Sequence, residues 1–425
     1  MRDYHKEFVY RKIKKPNKFL ARIVFFIFGR ISRKRNVEFV YDDDFNQIRD
    51  KQMILLCQHR SRTDFIYVYA GIRRKDMHIM CGYQNVFQPF VYTILKKLEV
   101  IAKMLYQPDM HATMQVLGAT KLGDSVMIFP EGIQSTSGST HPINPATLKL
   151  LMKLKLPVGL ATLNGAYFTR NRYCSDIKKG KITVRFSKLF DPEDFTNLSK
   201  DALYEKLLSA FRYNEFEERP AEKIAYRGKK PNIYGLDNII YRCPQCGAEY
   251  RFEVRDTQMH CLDCGFAVSM DEYYDIAPVQ GTLPFANIDQ WYKWQRHTVA
   301  QQVQQDDFCL STKVQLNTIN THKLSKNFSM LCQGEGLLTL TNKALTYQGT
   351  RNGEPVMLTF DPKLVFSLTM SLAYDLDLYY NGEYMNFKLL ENEKQVTKWM
   401  LCAEEIHNLY DPVWKSVSDE VYNEE

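Results

Sequence analysis

The chain has 425 residues, of which 45% are hydrophobic, 13% aromatic and 25% charged; this excludes a single small module and wholesale disorder, and leaves room for about three domains. Its net charge of +7 is unevenly placed, because residues 1–35 hold 12 Lys or Arg against 2 acids and leave the other 390 residues at −3. The body is slightly acidic, and the basic excess is N-terminal.

Within that arm, residues 19–28 are apolar except for Arg22. Ten such residues are too few to span a bilayer, which takes about 20. The basic run Arg30 to Arg35 follows, without the small-residue pattern of a cleavage site, so the segment is expected to stay on the chain. A bulky apolar helix flanked by Lys and Arg suits the surface of an anionic membrane. The same pattern also describes a core helix with a solvated basic end. The first reading puts the protein on the cytoplasmic face of a membrane, as a peripheral or monotopic protein.

Next come strand-like apolar runs at 53–57, 98–102, 125–129 and 156–161, with helical spacing over 65–72 and 146–155. An alternating strand over 181–189 and a helix capped by Ser199 and running to Phe216 complete a layered α/β domain over 36–224. Residues 225–237 are polar and punctuated by Gly and Pro, which reads as a linker.

Ten cysteines occur, four of them as Cys243-x-x-Cys246 and Cys261-x-x-Cys264 with 14 residues between the pairs. Each pair is followed by a glycine, which lets both sulfurs of a knuckle turn toward one ion. The pattern predicts a closed tetrahedral site for structural Zn²⁺ in a ribbon over 238–268, with no open coordination place for chemistry. Two disulfides would instead require an oxidising compartment. A zinc-ribbon nucleic-acid binder is the competing reading. Six bases against five acids over 226–264 give only +1, so no nucleic acid is expected as a partner.

After a bridging segment at 269–305, residues 306–412 show short alternating strands with Asn-Gly turns and one amphipathic helix. In order of elements this looks like a pleckstrin-homology or GRAM module. It carries 13 acids against 9 bases between 305 and 412, so it is expected to pack on the ribbon or a protein partner and not on acidic lipid. Residues 413–425 form a tail. The fold class expected is α/β: a layered domain with N-terminal membrane-associating helices, then the ribbon, then a mainly antiparallel β module closed by one C-terminal helix.

Two motifs carry chemistry. His59 lies five residues before Asp64, about 140° apart on a helix, so the two meet only across a loop, and a strand end supplies one. If they meet, Asp64 fixes the tautomer of His59 and frees the other ring nitrogen to take a proton from an alcohol. The second motif, Phe129-Pro130-Glu131-Gly132 followed by Ser135 to Ser139, ends another strand, where open α/β sheets place their ligands.

With His59 and Asp64 matching His-x4-Asp, and Phe129 to Gly132 matching Phe-Pro-Glu-Gly 72 residues from His59 to Glu131, the sequence resembles the lysophosphatidic acid (1-acylglycerol-3-phosphate) acyltransferases and related glycerolipid acyltransferases. Lys103 corresponds to the basic residue of their second block, and Leu156-Pro157-Val158 resembles their fourth. Gln58 stands where the family usually has Asn, and Gln134 where it usually has Arg. The resemblance implies acyl transfer from an acyl-CoA or acyl carrier protein thioester to a lysophospholipid or glycerol phosphate hydroxyl. On this reading His59 and Asp64 are catalytic, and Glu131, Gly132, Lys103, Arg60, Arg62 and Ser135 hold the acceptor. A non-catalytic scaffold keeping the same shape is the alternative.

Overall fold

The strand at 53–57 is apolar at every position, so it needs cover on both faces, and the computed structural model shows how that cover is supplied. Residues 2–326, 328–371 and 374–412 are described; the expected tail at 413–425 lies outside them. Seven strands, β1 (Val37–Tyr41), β2 (Ile54–Cys57), β3 (Met77–Gly82), β4 (Ile101–Lys103), β5 (Ser125–Ile128), β6 (Val158–Asn164) and β7 (Ile182–Phe190), form one sheet in the order β1-β7-β6-β2-β5-β3-β4. Strands β2 to β6 are parallel, so their carboxyl ends share one edge; β7 runs back along β6. Alternation divides β2 between two cores. Leu55 and Cys57 face helices Lys18–Lys34 and Asp64–Ile72, while Ile54 and Leu56 face helices Met110–Lys121, Ala146–Leu154 and Lys200–Phe211. Truncating Leu56 to alanine in such a setting costs about 2–5 kcal/mol.

Helix Lys200–Phe211 is capped by Ser199 but stops five residues short of the expected Phe216. The chain beyond it extends to pair with the loop after β5: Thr140 N–H donates to the Tyr213 carbonyl at 3.1 Å, and Glu215 N–H to Gly138 at 3.0 Å. The stretch expected to be a linker is also tied down. Tyr226, Ile233 and Leu236 are buried, and Arg227 exchanges backbone hydrogen bonds with Lys179.

Strands β8 (Phe252–Arg255), β9 (Gln258–Cys261), β10 (Ala267–Met270) and β11 (Ile276–Gln280) form an antiparallel sheet that continues beyond residue 268. Seven more strands, β12 (Cys309–Ile319), β13 (Met330–Thr341), β14 (Leu345–Arg351), β15 (Glu354–Phe360), β16 (Thr369–Ser371), β17 (Asp375–Tyr380) and β18 (Glu383–Leu389), form a second antiparallel sheet in the order β15-β14-β13-β12-β18-β17-β16. Asn352-Gly353 and Asn381-Gly382 both have positive φ at each residue, the backbone that tight hairpins need. Helix Val396–Asn408 closes this sheet and packs on helix Ile288–Gln302, where Arg296 donates to Glu405 at 2.5 Å and Glu404 at 2.8 Å. One apolar core runs from Cys243 and Phe252 through Trp291 to Trp399 and Phe387, so the small sheet, the bridging helix and the C-terminal sheet are a single packed body.

Candidate active site

At the carboxyl end of β2 the chain enters a tight loop before helix Asp64–Ile72. His59 Nδ1 lies 3.0 Å from Asp64 Oδ2 across that loop. The Asp64 carboxylate is fully buried and accepts three further bonds, from the Arg60 N–H at 2.5 Å, the Ser61 N–H at 2.7 Å and the Ser61 hydroxyl at 2.6 Å. With Asp64 fixed by its own loop, Nδ1 is the ring nitrogen that carries hydrogen and Nε2 is the one left to accept a proton. His59 keeps 18% of its side-chain surface and lines a cavity of about 1840 Å³. That exceeds the roughly 300–1,000 Å³ that holds a drug-sized ligand.

The residues expected to hold an acceptor divide into two groups. Arg62, Gly132 and Lys103 line the cavity. Glu131, Arg60 and Ser135 do not, and each is committed elsewhere. The Glu131 carboxylate accepts the His59 backbone N–H at 2.8 Å and the His141 N–H at 3.0 Å, and lies 3.6 Å from the Arg60 guanidinium. It fastens the loop after β5 to the loop after β2, entirely out of solvent. Burial raises its carboxyl above the usual range, and the Arg60 charge opposes that rise. Arg60 is equally buried, donates to Thr140 at 2.9 Å and stacks 4.6 Å over the Tyr213 ring. Ser135 donates to the Ser139 carbonyl at 2.5 Å, and the hydroxyls of Ser137 and Ser139 go to buried Asp289 at 2.5 and 2.8 Å. The hydroxyl run therefore builds a loop and anchors helix Ile288–Gln302.

Gly132 has φ +76°, which favours glycine, and faces the Tyr106 ring. Lys103 points into its own loop, donating to the carbonyls of Met104 and Gln107 at 2.7 and 2.8 Å, and burial lowers its ammonium pKa. Gln58 is buried against β6, its side-chain oxygen accepting the Leu163 N–H at 3.4 Å.

Residues 33–159 match the family model described as Acyltransferase. A comparison with curated proteins finds no match. Among solved structures, the chain is similar to the 1-acyl-sn-glycerophosphate (LPA) acyltransferase PlsC from Thermotoga maritima, with 17% identity, 48% of this chain and 83% of that one covered, and a TM-score of 0.40.

The cavity that His59 lines holds cations that the sequence reading missed. Arg170 and Arg172, just beyond β6, line it together with Arg62. Burial, then Arg172 and Arg170, pushes the Arg62 guanidinium down to about 10, and burial lowers the other two as well. Arg62 makes no hydrogen bond or ion pair among the described residues. The signal available was two arginines in three residues soon after a strand whose carboxyl end shares the site edge. An alcohol activated by His59 would have these cations to hold an attached phosphate.

The four cysteine sulfurs lie within 4.8 Å of one another, with Cys243–Cys264 and Cys246–Cys261 both at 3.7 Å. A tetrahedron of Zn–S bonds of about 2.3 Å has edges of about 3.8 Å, so the donor set fits zinc. Gly247 and Gly265, at φ +74° and +75°, close the two knuckles by donating to the Cys243 and Cys261 carbonyls.

Proposed function

We propose that the protein moves a fatty acyl group from a coenzyme A or acyl carrier protein thioester to a hydroxyl of a lysophospholipid, 1-acylglycerol-3-phosphate being the simplest acceptor that fits. The observation that carries this reading is His59, held by Asp64, on the wall of a cavity large enough for lipid. His59 Nε2 takes the proton of the acceptor hydroxyl as its oxygen attacks the thioester carbonyl. The carbon–sulfur bond then breaks, and the thiolate leaves with the proton from the imidazolium. Arg62, Arg170 and Arg172 hold the acceptor phosphate.

The reaction takes place at the cytoplasmic face of a membrane, with the protein bound peripherally or monotopically. Among the described residues no helix is long and apolar enough to cross a bilayer. Helix Lys18–Lys34 exposes Phe19, Ile23, Phe26 and Ile27, and Phe90, Met110 and Met114 stand exposed beside the cavity they line in part. Together with Lys18, Arg22, Arg30 and Arg33 they suit an anionic lipid surface. The four-cysteine site holds structural zinc. The likeness of the C-terminal sheet to a pleckstrin-homology or GRAM module is one of element order.

Purified protein incubated with an acyl thioester and lysophospholipid acceptors tests the reading. His59→Ala is expected to lower turnover by about 10²–10⁴-fold without moving Tm. Undiminished acylation by that variant, or no product from the parent with any acceptor, would make the domain a scaffold.

A further inference from the structure

The far wall of the cavity belongs to the C-terminal sheet, outside the residues that match the acyltransferase family. Along β12, β17 and β18 the residues alternate. Leu376, Leu378, Phe387, Leu389, Val314 and Leu316 enter the apolar core, which leaves the opposite face to polar side chains. Strand register lines these up in two rows. One row crosses four strands as Thr369, Asp377, Asn386 and Asn317; the other crosses three as Asp375, Lys388 and Gln315. All seven line the cavity that His59 lines.

This face is not an ordinary solvated sheet surface, since Asp377, Asn386 and Asn317 are buried. It is held in place over the acyltransferase domain: Tyr379 bonds Gln84, Gly382 N–H donates to Gln107 at 3.1 Å, and Arg172 donates to both Gln134 and Met370 backbone carbonyls. The first row is also ordered internally. Asp377 Oδ1 accepts from Tyr384 at 2.6 Å and Asn386 at 2.9 Å, Asn386 accepts from Asn317 at 3.0 Å, and Asn317 accepts from Gln315 at 3.0 Å. The row therefore presents amide and carboxylate groups in fixed orientation beside the arginines, with Arg172 between the two sets.

We propose that this sheet face reads the headgroup of the acceptor, and that the acceptor is a lysophospholipid whose phosphate carries a neutral, hydroxyl-rich substituent. The proposal rests on the acyl-transfer reading above. Hydroxyls both donate to carboxylates and accept from amides, so a polyol matches Asp377, Asn386 and Asn317. A second phosphate gains little at this face, because Asp375 and Asp377 offset Lys388 and Arg172. An ammonium gains little, because Lys388 and Arg172 offset the two acids. The arginines bind the bridging phosphate, and the substituent beyond it reaches the sheet.

The test compares 1-acylglycerol-3-phosphate, lysophosphatidylglycerol and lysophosphatidylinositol as acceptors for the full-length protein. At least one polyol acceptor is expected to exceed 1-acylglycerol-3-phosphate tenfold or more in kcat/KM. Asn317→Ala and Asp377→Asn, each confirmed folded, should erase that preference by raising KM for the polyol acceptor tenfold or more while raising it less for 1-acylglycerol-3-phosphate. Three results would overturn the proposal: preference for the bare phosphate, equal losses on all acceptors, or a raised KM for the thioester alone, which would assign the wall to the donor. Calorimetric binding of lysophosphatidylglycerol to His59→Ala separates this inference from the reaction. Binding that is weakened by adding Asn317→Ala, in a protein whose parent transfers no acyl group, would sink the acyltransferase reading and keep the headgroup site. Absence of both binding and turnover sinks both.

Discussion

Glu131 and His59 sit in motifs of equal prominence, yet the fold uses them in opposite ways. His59 faces the cavity, while Glu131 is sealed behind it, linking the His59 backbone to His141 and facing Arg60. Glu131→Gln keeps the shape but leaves Arg60 buried without its counter-charge, so a loss of about 3 kcal/mol in stability is expected, with acceptor KM unchanged in the folded enzyme. A raised KM at unchanged Tm would instead put the carboxylate on the substrate. A neighbouring acid gives a pH signature. Burial pushes the Glu215 carboxyl up to about 7 against the opposing charge of Arg60. A folded chain that holds this proton more tightly has that stabilisation in full below about pH 4.5 and loses it as pH rises through about 7. Glu215→Gln removes the loss. Its advantage in thermal unfolding over the parent should be absent near pH 4 and grow to the order of 3 kcal/mol by pH 8. At this scale the sequence pattern located the motifs, because residue type and spacing are local. It could not say which side chains of a motif turn inward, since the partners His141, Thr140, Tyr213 and Asp289 lie up to 153 residues from the motif residues they meet.

Among the elements, helix Lys18–Lys34 has features of both readings its sequence allowed. It is docked by Ala21 and Val24, yet Phe19 and Phe26 remain 73% and 66% exposed. Those rings touch little of the protein, so Phe19→Asp with Phe26→Glu should leave Tm within a degree or two. Sedimentation with anionic vesicles should fall tenfold or more, and unchanged vesicle binding would remove the helix from the membrane contact. The strands were legible where both faces are apolar or where hydrophobic residues alternate, as in β2, β5 and β7. Helix Lys200–Phe211 was overextended because a long-range pairing, Asn214 with Ser139, ends it, and no local signal marks that event.

For the whole molecule, the four-cysteine site was read directly from spacing, whereas its neighbours were not. The four-cysteine sheet shares one apolar core with the C-terminal sheet, and that second sheet forms a wall of the cavity. Zinc removal should therefore act at a distance. Elemental analysis is expected to give one zinc per chain, and Cys243→Ser or strong chelation should lower Tm and acyl transfer together. Acyl transfer unaffected by metal loss would show that the wall stands without the ribbon. A reading along the chain treats the three parts as successive, because linker composition at 225–237 signals separation, while burial of Tyr226 and Ile233 joins them. The placement of the wall also sets an order of events during synthesis. His59 and Asp64 emerge from the ribosome more than 300 residues before Lys388, so a growing chain carries its base and its arginines facing open water. Closing the cavity requires the last sheet to return to the first domain, a contact of very long sequence separation and hence a late one. His59 and Asp64 are among the earliest parts made, and the sheet that forms the far wall of their cavity is among the last.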